Sequence, residues 1–108
     1  MANIYKVLGQ LNPTANTATT LYTVPAATSA VCSTIAICNQ GASTTVRVAI
    51  RPAGEALASQ HYIVYDTGIN TTDTIFLTIG TSLAATDVVT VYANTANISF
   101  SLFGSEIS

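Results

Sequence analysis

The sequence predicts an all-β fold, an antiparallel β-sandwich of the jelly-roll or immunoglobulin-like kind with about seven strands. Apolar and polar residues alternate with a period of two in several stretches, as they do in strands that bury one face. Turn residues recur about every 10 to 12 positions, and no long stretch has the spacing of an amphipathic helix. The 108 residues, 49% of them hydrophobic, suffice for one core, so we expect a single domain over 1–108.

The individual strands follow from this alternation and from the residues that interrupt it. They are predicted at residues 20–24, 30–38, 44–51, 61–66, 74–79, 87–93 and 97–103. The first ends at Pro25, which has no N–H to donate to a neighbouring strand. The stretch 55–60 is either one short helical turn or a loop that crosses between sheets, and residues 80–87 are predicted as a loop.

The strand at 44–51 has the clearest alternation. Its apolar side chains are predicted to face the core: Val46, Val48 and Ile50. Arg47 and Arg51 then share the outward face, four residues and about 13 Å apart. They are interpreted either as contacts to an acidic partner or as ordinary solvent-exposed charges.

The N-terminal residues 1–18 stand apart from these strands as a possible arm. Residues 4–8 are mostly apolar, and residues 12–16 have the composition of a linker. The apolar part either pairs as an edge strand or reaches to a neighbouring molecule. No basic start and no long apolar stretch follow Met1, so no secretory signal is expected.

Charge is scarce in this chain, and that excludes several classes of function. Only 7% of the residues are charged, with three basic and five acidic side chains. Three cations cannot form the basic patch that nucleic acids or anionic membranes require, so neither partner is expected. Neutral surfaces rich in Thr, Ser and Asn lose little on desolvation, which favours a subunit of a packed assembly.

The residues capable of catalysis or metal binding are isolated. His61 is predicted on a strand with Ile63 and Tyr65 on its face, so a structural or surface role is expected. Cys32 and Cys38 are predicted on the same face of one strand about 20 Å apart, too far for a disulfide. The acids occur singly beside turns, as local caps. No enzyme activity, metal or cofactor is therefore expected.

Aromatic side chains offer one alternative to assembly. The five tyrosines and three phenylalanines could form sugar-binding platforms if several were exposed beside polar groups. The chain has no Trp, and tyrosines on strands are usually packed half-buried. A host-glycan-binding module therefore stays open as a second class of function.

Several segments together resemble a group of small structural proteins of tailed bacteriophages, including phages of cyanobacteria. The resemblance rests on Leu-Tyr-Thr-Val-Pro-Ala at 21–26, on the segments at 33–39 and 61–63, and on Val-Arg-Val-Ala-Ile-Arg-Pro at 46–52. It continues through 83–92 and 103–106, so it covers about residues 5–107. Where the group has Gly in a Leu-x-Ala-Gly-Asp turn, this chain has Thr86.

The resemblance implies a virion component with a β-sandwich fold and no catalytic residues. Such proteins often serve as head decoration (cement) proteins, commonly as trimers on the capsid lattice, and similar domains occur in necks, tails and fibres. We therefore expect a homo-oligomer, with a trimer favoured, made in the host cytoplasm and bound to the major capsid protein or neighbouring virion proteins at the capsid surface. The candidate interface residues are Ile4, Tyr5, Val7, Leu8, Arg47 and Arg51.

Overall fold

The protein forms two antiparallel sheets of four strands each. A computed structural model describes residues 3–108, so residues 1 and 2 of the predicted arm lie outside the described residues. The strands are β1 (Asn3–Leu11), β2 (Thr19–Thr23), β3 (Ser29–Asn39), β4 (Thr44–Arg51), β5 (Tyr62–Ile69), β6 (Thr74–Leu83), β7 (Val88–Ala93) and β8 (Ile98–Ile107). Two short 3₁₀ turns, Pro52–Gly54 and Ser59–His61, lie between β4 and β5.

The strand order is that of a jelly roll. The first sheet runs β1-β8-β3-β6, and the second runs β2-β7-β4-β5. Strands from opposite ends of the chain pair as β1·β8, β2·β7, β3·β6 and β4·β5, as in one long hairpin folded over into two sheets. An immunoglobulin-like sandwich instead places its first strand beside its second, so the topology selects the jelly roll of the two predicted alternatives.

The hydrophobic core lies between the sheets and is built from the inward positions of the central strands. Its fully buried members include Ile35, Ile37, Phe100 and Leu102 of the first sheet and Val46, Val48, Val89 and Val91 of the second. The predicted inward positions of β4 are confirmed for Val46 and Val48. Ile50 also packs against the core but is only partly buried, whereas Ala49 is buried on the outward side of β4, which stays in continuous register with β7.

A β-bulge in β3 changes which side chains face the core. The register of β3 with β8 shifts between Cys32 and Thr34, so Ser33 is the extra residue relative to β8. Against β6, Ser33 lies opposite both Ile79 and Gly80. Cys32 is buried before the bulge and Ile35 is buried after it, so the inward parity changes from even to odd. The two cysteines therefore point to opposite faces, and the prediction that they share one face was wrong. Both are free thiols.

Several strand boundaries differ from the sequence prediction, and β5, predicted at 61–66, continues to Ile69. Residues 3–11 form β1, an edge strand that pairs with β8, which raises the count from about seven to eight within residues 3–108. β6 continues through residues 80–83, which were predicted as loop, and β8 continues to Ile107. Lys6 and the Leu8 bulge weaken the alternation of β1, and Gly80 interrupts that of β6.

The turn between β6 and β7 contains a strained residue. Thr86 has φ of 69°, a left-handed conformation that a β-branched residue rarely adopts. The turn is held by the Asp87 carboxylate, which accepts hydrogen bonds from the backbone N–H groups of Ala53 and Ala84, both at 2.9 Å. Thr86 thus occupies a conformation that favours glycine.

Candidate functional site

The outward face of the first sheet carries no charged side chain from its strands within residues 3–108. Register places Val7 and Thr34 beside Phe103, and Ala36 beside Phe76, on the side opposite the buried Ile35 and Leu102. We call this surface the neutral face. It is formed by Tyr5, Val7, Val31, Thr34, Ala36, Phe76, Thr78, Ser101 and Phe103.

Several large apolar side chains on the neutral face are open to solvent. Tyr5 is 79% exposed, Phe76 is 69% exposed and Val7 is 46% exposed. A depression of about 400 Å³ lies where β1, β8 and β3 meet, lined by Tyr5, Lys6, Val31, Ser33, Phe103, Gly104 and Ser105. Exposed aromatic groups around a shallow depression, with hydroxyl groups between them, are typical of a protein–protein contact surface.

The six candidate interface residues do not form one surface. Tyr5 and Val7 lie on the neutral face, and Ile4, which is 52% exposed, lies on the opposite side of the same strand. Leu8 is the bulge residue and packs partly against the core. Arg47 and Arg51 lie on the outward face of the second sheet, on the other side of the sandwich.

Arg47 is held within its own chain. Its Nε donates to Asp66 Oδ1 at 2.6 Å, and its Nη2 donates to Asp66 Oδ2 at 3.3 Å. The guanidinium carbon also lies 4.3 Å from the ring centre of Tyr65 and 4.7 Å from that of Tyr92. The hydrogen bond to Asp66 raises the pKa of Arg47 above its ordinary value, so the guanidinium stays charged. The partner that the sequence left open is therefore an acid of the same chain.

A bulge in β5 makes this arrangement possible. Between Val46 and Val48 of β4, the paired positions on β5 move from Thr67 to Val64, so two residues of β5, Tyr65 and Asp66, lie opposite Arg47. One of them, Asp66, adopts a left-handed conformation with φ of 52°, which turns its carboxylate toward Arg47. Nineteen residues separate Arg47 from Asp66, and no sequence pattern marks the bulge, so sequence analysis missed this pair.

Arg51 and His61 fix the segment between β4 and β5. Arg51 Nε donates to Thr90 Oγ1, and its Nη1 donates to the carbonyl of Glu55, both at 3.0 Å. His61 Nδ1 accepts the backbone N–H of Ala58 at 3.0 Å, so Nε2 carries the proton and lies 3.2 Å from Glu55 Oε1. Both ring nitrogens of His61 are therefore already engaged.

His61 does not occupy the predicted position. It lies at the end of the second 3₁₀ turn rather than on a strand, and it is buried. The prediction that its nearest neighbours would be Ile63 and Tyr65, with no acid near it, was wrong because the helical turn brings Glu55 to its ring. The structural role that was expected for His61 agrees with these contacts.

A groove lies beside this segment on the second sheet. It encloses about 630 Å³ and is lined by Leu57, Ala58, Ser59, Tyr62 and Tyr65. The rings of Tyr62 and Tyr65 meet edge to face, with centres 4.9 Å apart. Arg47 also packs over the ring of Tyr65, so contacts within the chain hold these two tyrosine rings in place without a ligand.

A third polar cluster joins the two sheets at one end of the sandwich. Lys6 Nζ lies 3.0 Å from Glu106 Oε1, and Tyr22 Oη donates to Glu106 Oε2 at 2.5 Å. The Tyr22 hydrogen bond, with Lys6 beside it, lowers the pKa of Glu106, whereas burial and Glu106 raise the pKa of Tyr22. These contacts tie β2 of the second sheet to β1 and β8 of the first.

The remaining chemistry of the described residues is sparse. No three His, Cys, Asp or Glu side chains of residues 3–108 are grouped closely enough to hold a metal ion. No helix in that range is long and apolar enough to span a bilayer. The chain matches no protein-family model, and no similar sequence is found among curated proteins.

Proposed function

We propose that the chain is a non-enzymatic structural protein of a tailed-phage virion, and specifically a decoration protein that binds the outer surface of the head. The proposal rests on the resemblance to phage structural proteins and on the neutral face. A small jelly roll that exposes Tyr5, Val7 and Phe76 can bury these side chains with little desolvation of charge, because Lys6 at the edge of the face is already paired with Glu106.

The neutral face would bind a complementary surface of the major capsid protein. Its hydroxyl groups, such as those of Thr34, Thr78 and Ser101, can pair with partner groups at modest desolvation cost. A decoration protein occupies many equivalent lattice positions, so a modest affinity at each position adds up over the whole shell. The central observation is that no charged side chain of residues 3–108 lies on the outward positions of these strands, beside exposed apolar side chains.

The experiment measures co-sedimentation of the purified protein with phage heads stripped of their decoration protein. Tyr5→Asp places a charge on the neutral face, and we expect it to weaken binding by about tenfold or more. The matched control is Ile63→Asp, because Ile63 is 47% exposed but lies on the second sheet. Equal binding by both variants would rule out the neutral face as the capsid contact.

A second candidate is a host-glycan-binding module, and the tyrosine groove favours it. The edge-to-face pair of Tyr62 and Tyr65 forms a fixed aromatic wall, and Ser59 supplies a hydroxyl group nearby. A glycan array tests this candidate. Specific binding that is lost in Tyr65→Ala would support it, and uniform silence of the wild-type protein would eliminate it.

A further inference from the structure

The two sheets have four edge strands, and three of them carry features that discourage pairing with another chain. β1 has Lys6 and a bulge at Leu8. β2 has only five residues, and Pro25 follows shortly after it. β5 has Asp66 in a left-handed bulge. Charges, bulges, short length and proline are the usual means by which natural sheets protect their edges.

The fourth edge strand, β6, is long and uncharged. Its ten residues, Thr74–Leu83, contain no charged residue and no proline, and within residues 3–108 it pairs on one side only, with β3. Residues 74–78 are in continuous register with β3, and the first irregularity comes near Gly80, which has φ of 54°. A regular edge of five uncharged residues with high β-propensity is a template for a further strand.

The side chains of β6 are also incompletely covered. Ile75, Leu77 and Ile79 point toward the core but are only partly buried, because β6 is the edge of its sheet among the strands of residues 3–108. On the other side of the strand, Phe76 is 69% exposed and is flanked by Thr74 and Thr78. A strand added beside β6 would cover side chains on both faces at once.

We propose that β6 pairs antiparallel with β6 of a second copy of this chain, about a twofold axis at Phe76. This position is the centre of the regular stretch, so Phe76 lies opposite Phe76, and Thr74 lies opposite Thr78. Ile75 of one copy lies opposite Leu77 of the other on the core side, and each side chain shields the other from solvent. The two four-stranded sheets become one eight-stranded sheet, and the neutral faces of both copies become continuous.

The occupant is a second copy because, of the four edges, β6 alone is both long and free of charge, so it can pair with itself. When two copies of one strand pair antiparallel about a twofold axis, each residue near the axis lies opposite a neighbouring position of the same strand in the other copy. Self-pairing of β1 or β5 about their centres would bring Lys6 or Asp66 close to its own copy, which costs stability. β6 has no such charge, and an aromatic pair at its centre is favourable.

This dimer goes beyond the proposed capsid role and does not depend on it. Self-association through β6 is measured on the purified chain without capsids, so either proposal can fail while the other stands. The twofold symmetry also differs from the trimer that the phage resemblance implies. Mass in solution separates the two, since a dimer has twice and a trimer three times the 11.2 kDa of the chain.

The test combines light scattering during size-exclusion chromatography with a charge exchange at residue 76. Over a concentration series we expect the wild-type mass to approach that of a dimer. Phe76→Lys and Phe76→Glu each place like charges opposite one another, and each should weaken association by about tenfold or more. Mixing the two variants in equal amounts places opposite charges together and should restore the dimer. Ile63→Lys, at an exposed apolar position on edge strand β5, should keep the wild-type mass.

Several outcomes would overturn the proposal. The wild-type protein could stay monomeric at every concentration, or it could have the mass of a trimer. The Phe76 variants could also associate as strongly as the wild type. A mixture that fails to restore the dimer when both variants keep the wild-type circular dichroism would also refute it. If the variants do not fold, amide hydrogen exchange of the wild-type protein decides. Protection at β6 that rises with concentration supports the dimer, and protection independent of concentration refutes it.

Discussion

Gly104 lies where β3 comes too close to β8 to leave room for a β-carbon, and Gly104→Ala tests whether that approach supports the fold. A β-carbon added at Gly104 would lie 3.0 Å from the carbonyl carbon of Val31 and 3.1 Å from Cys32 Cα, with the Val31 carbonyl oxygen closer still. Real Cβ atoms essentially never approach other atoms closer than 3.0 Å. All these atoms belong to backbone, so no flexible side chain can move aside.

The magnitude follows from the backbone displacement that the added methyl group requires. A shift of roughly 1 Å would lengthen a hydrogen bond of about 2.9 Å beyond its useful range. Gly104 is paired with Cys32 on one side and with Lys6 on the other. Loss of about two backbone bonds at ~1 kcal/mol each, with ~1–3 kcal/mol for overpacking, gives a destabilisation of about 3–5 kcal/mol. That is a large part of the ~5–15 kcal/mol that stabilises a typical domain.

Urea denaturation followed by circular dichroism measures this effect as a lower midpoint with an unchanged slope. The matched control is Gly68→Ala, because nothing lies within 4 Å of a β-carbon added at Gly68. We expect the control to change the free energy of unfolding by no more than about 0.5 kcal/mol. If Gly104→Ala unfolds with the same midpoint as the control, the close approach of β3 and β8 does not constrain residue 104, and the reasoning fails.

Three further predictions concern the pH dependence, the thiols and the β6–β7 turn. Because folding lowers the pKa of Glu106, its contribution to stability is present above the ordinary carboxyl pKa and is lost as the pH falls through the folded-state pKa. Because folding raises the pKa of Tyr22, its contribution is present below about pH 10 and is lost as the pH rises through the folded-state pKa. Tyr22→Phe should therefore flatten both limbs of a plot of urea midpoint against pH, and unchanged limbs would show that this hydrogen bond is not their source. Burial raises the pKa of Cys32 to about 11. A thiol reagent at pH 8 should therefore modify only the partly exposed Cys38 in the native protein, and both thiols in urea. Rapid modification of Cys32 in the native protein would contradict its burial. Thr86→Gly should relieve the left-handed strain and raise stability by about 1 kcal/mol in thermal unfolding, and a decrease would mean that residue 86 is not strained.

The fold class was predictable because strands that bury one face carry a period-two pattern. In β4 that pattern correctly assigned Val46 and Val48 to the core. The pattern failed wherever a bulge intervened, since one extra residue reverses the facing of everything beyond it. Ser33 in β3 did this, and no residue type at that position signals a bulge. Pairing order is likewise set by contacts between distant segments, so the jelly roll could not be distinguished in advance from an immunoglobulin-like sandwich.

The candidate site was predictable in its chemistry but not in its layout. Scarce charge indicated neutral outer faces, and the first sheet has one. The placement of Tyr5 on that face, and of Arg47 on the opposite side of the molecule, depends on which sheet each strand joins. The ion pair between Arg47 and Asp66 depends on a bulge in β5 that no sequence pattern indicates. Each of these outcomes is decided by tertiary pairing, which local spacing does not encode.

The measurement that bears most directly on the decoration role is the copy number of this protein per purified virion, determined by quantitative mass spectrometry against the major capsid protein. Our proposal predicts a copy number that matches the repeated positions of the head lattice. A copy number that corresponds to a single neck or tail ring, or absence of the protein from the virion, would contradict it.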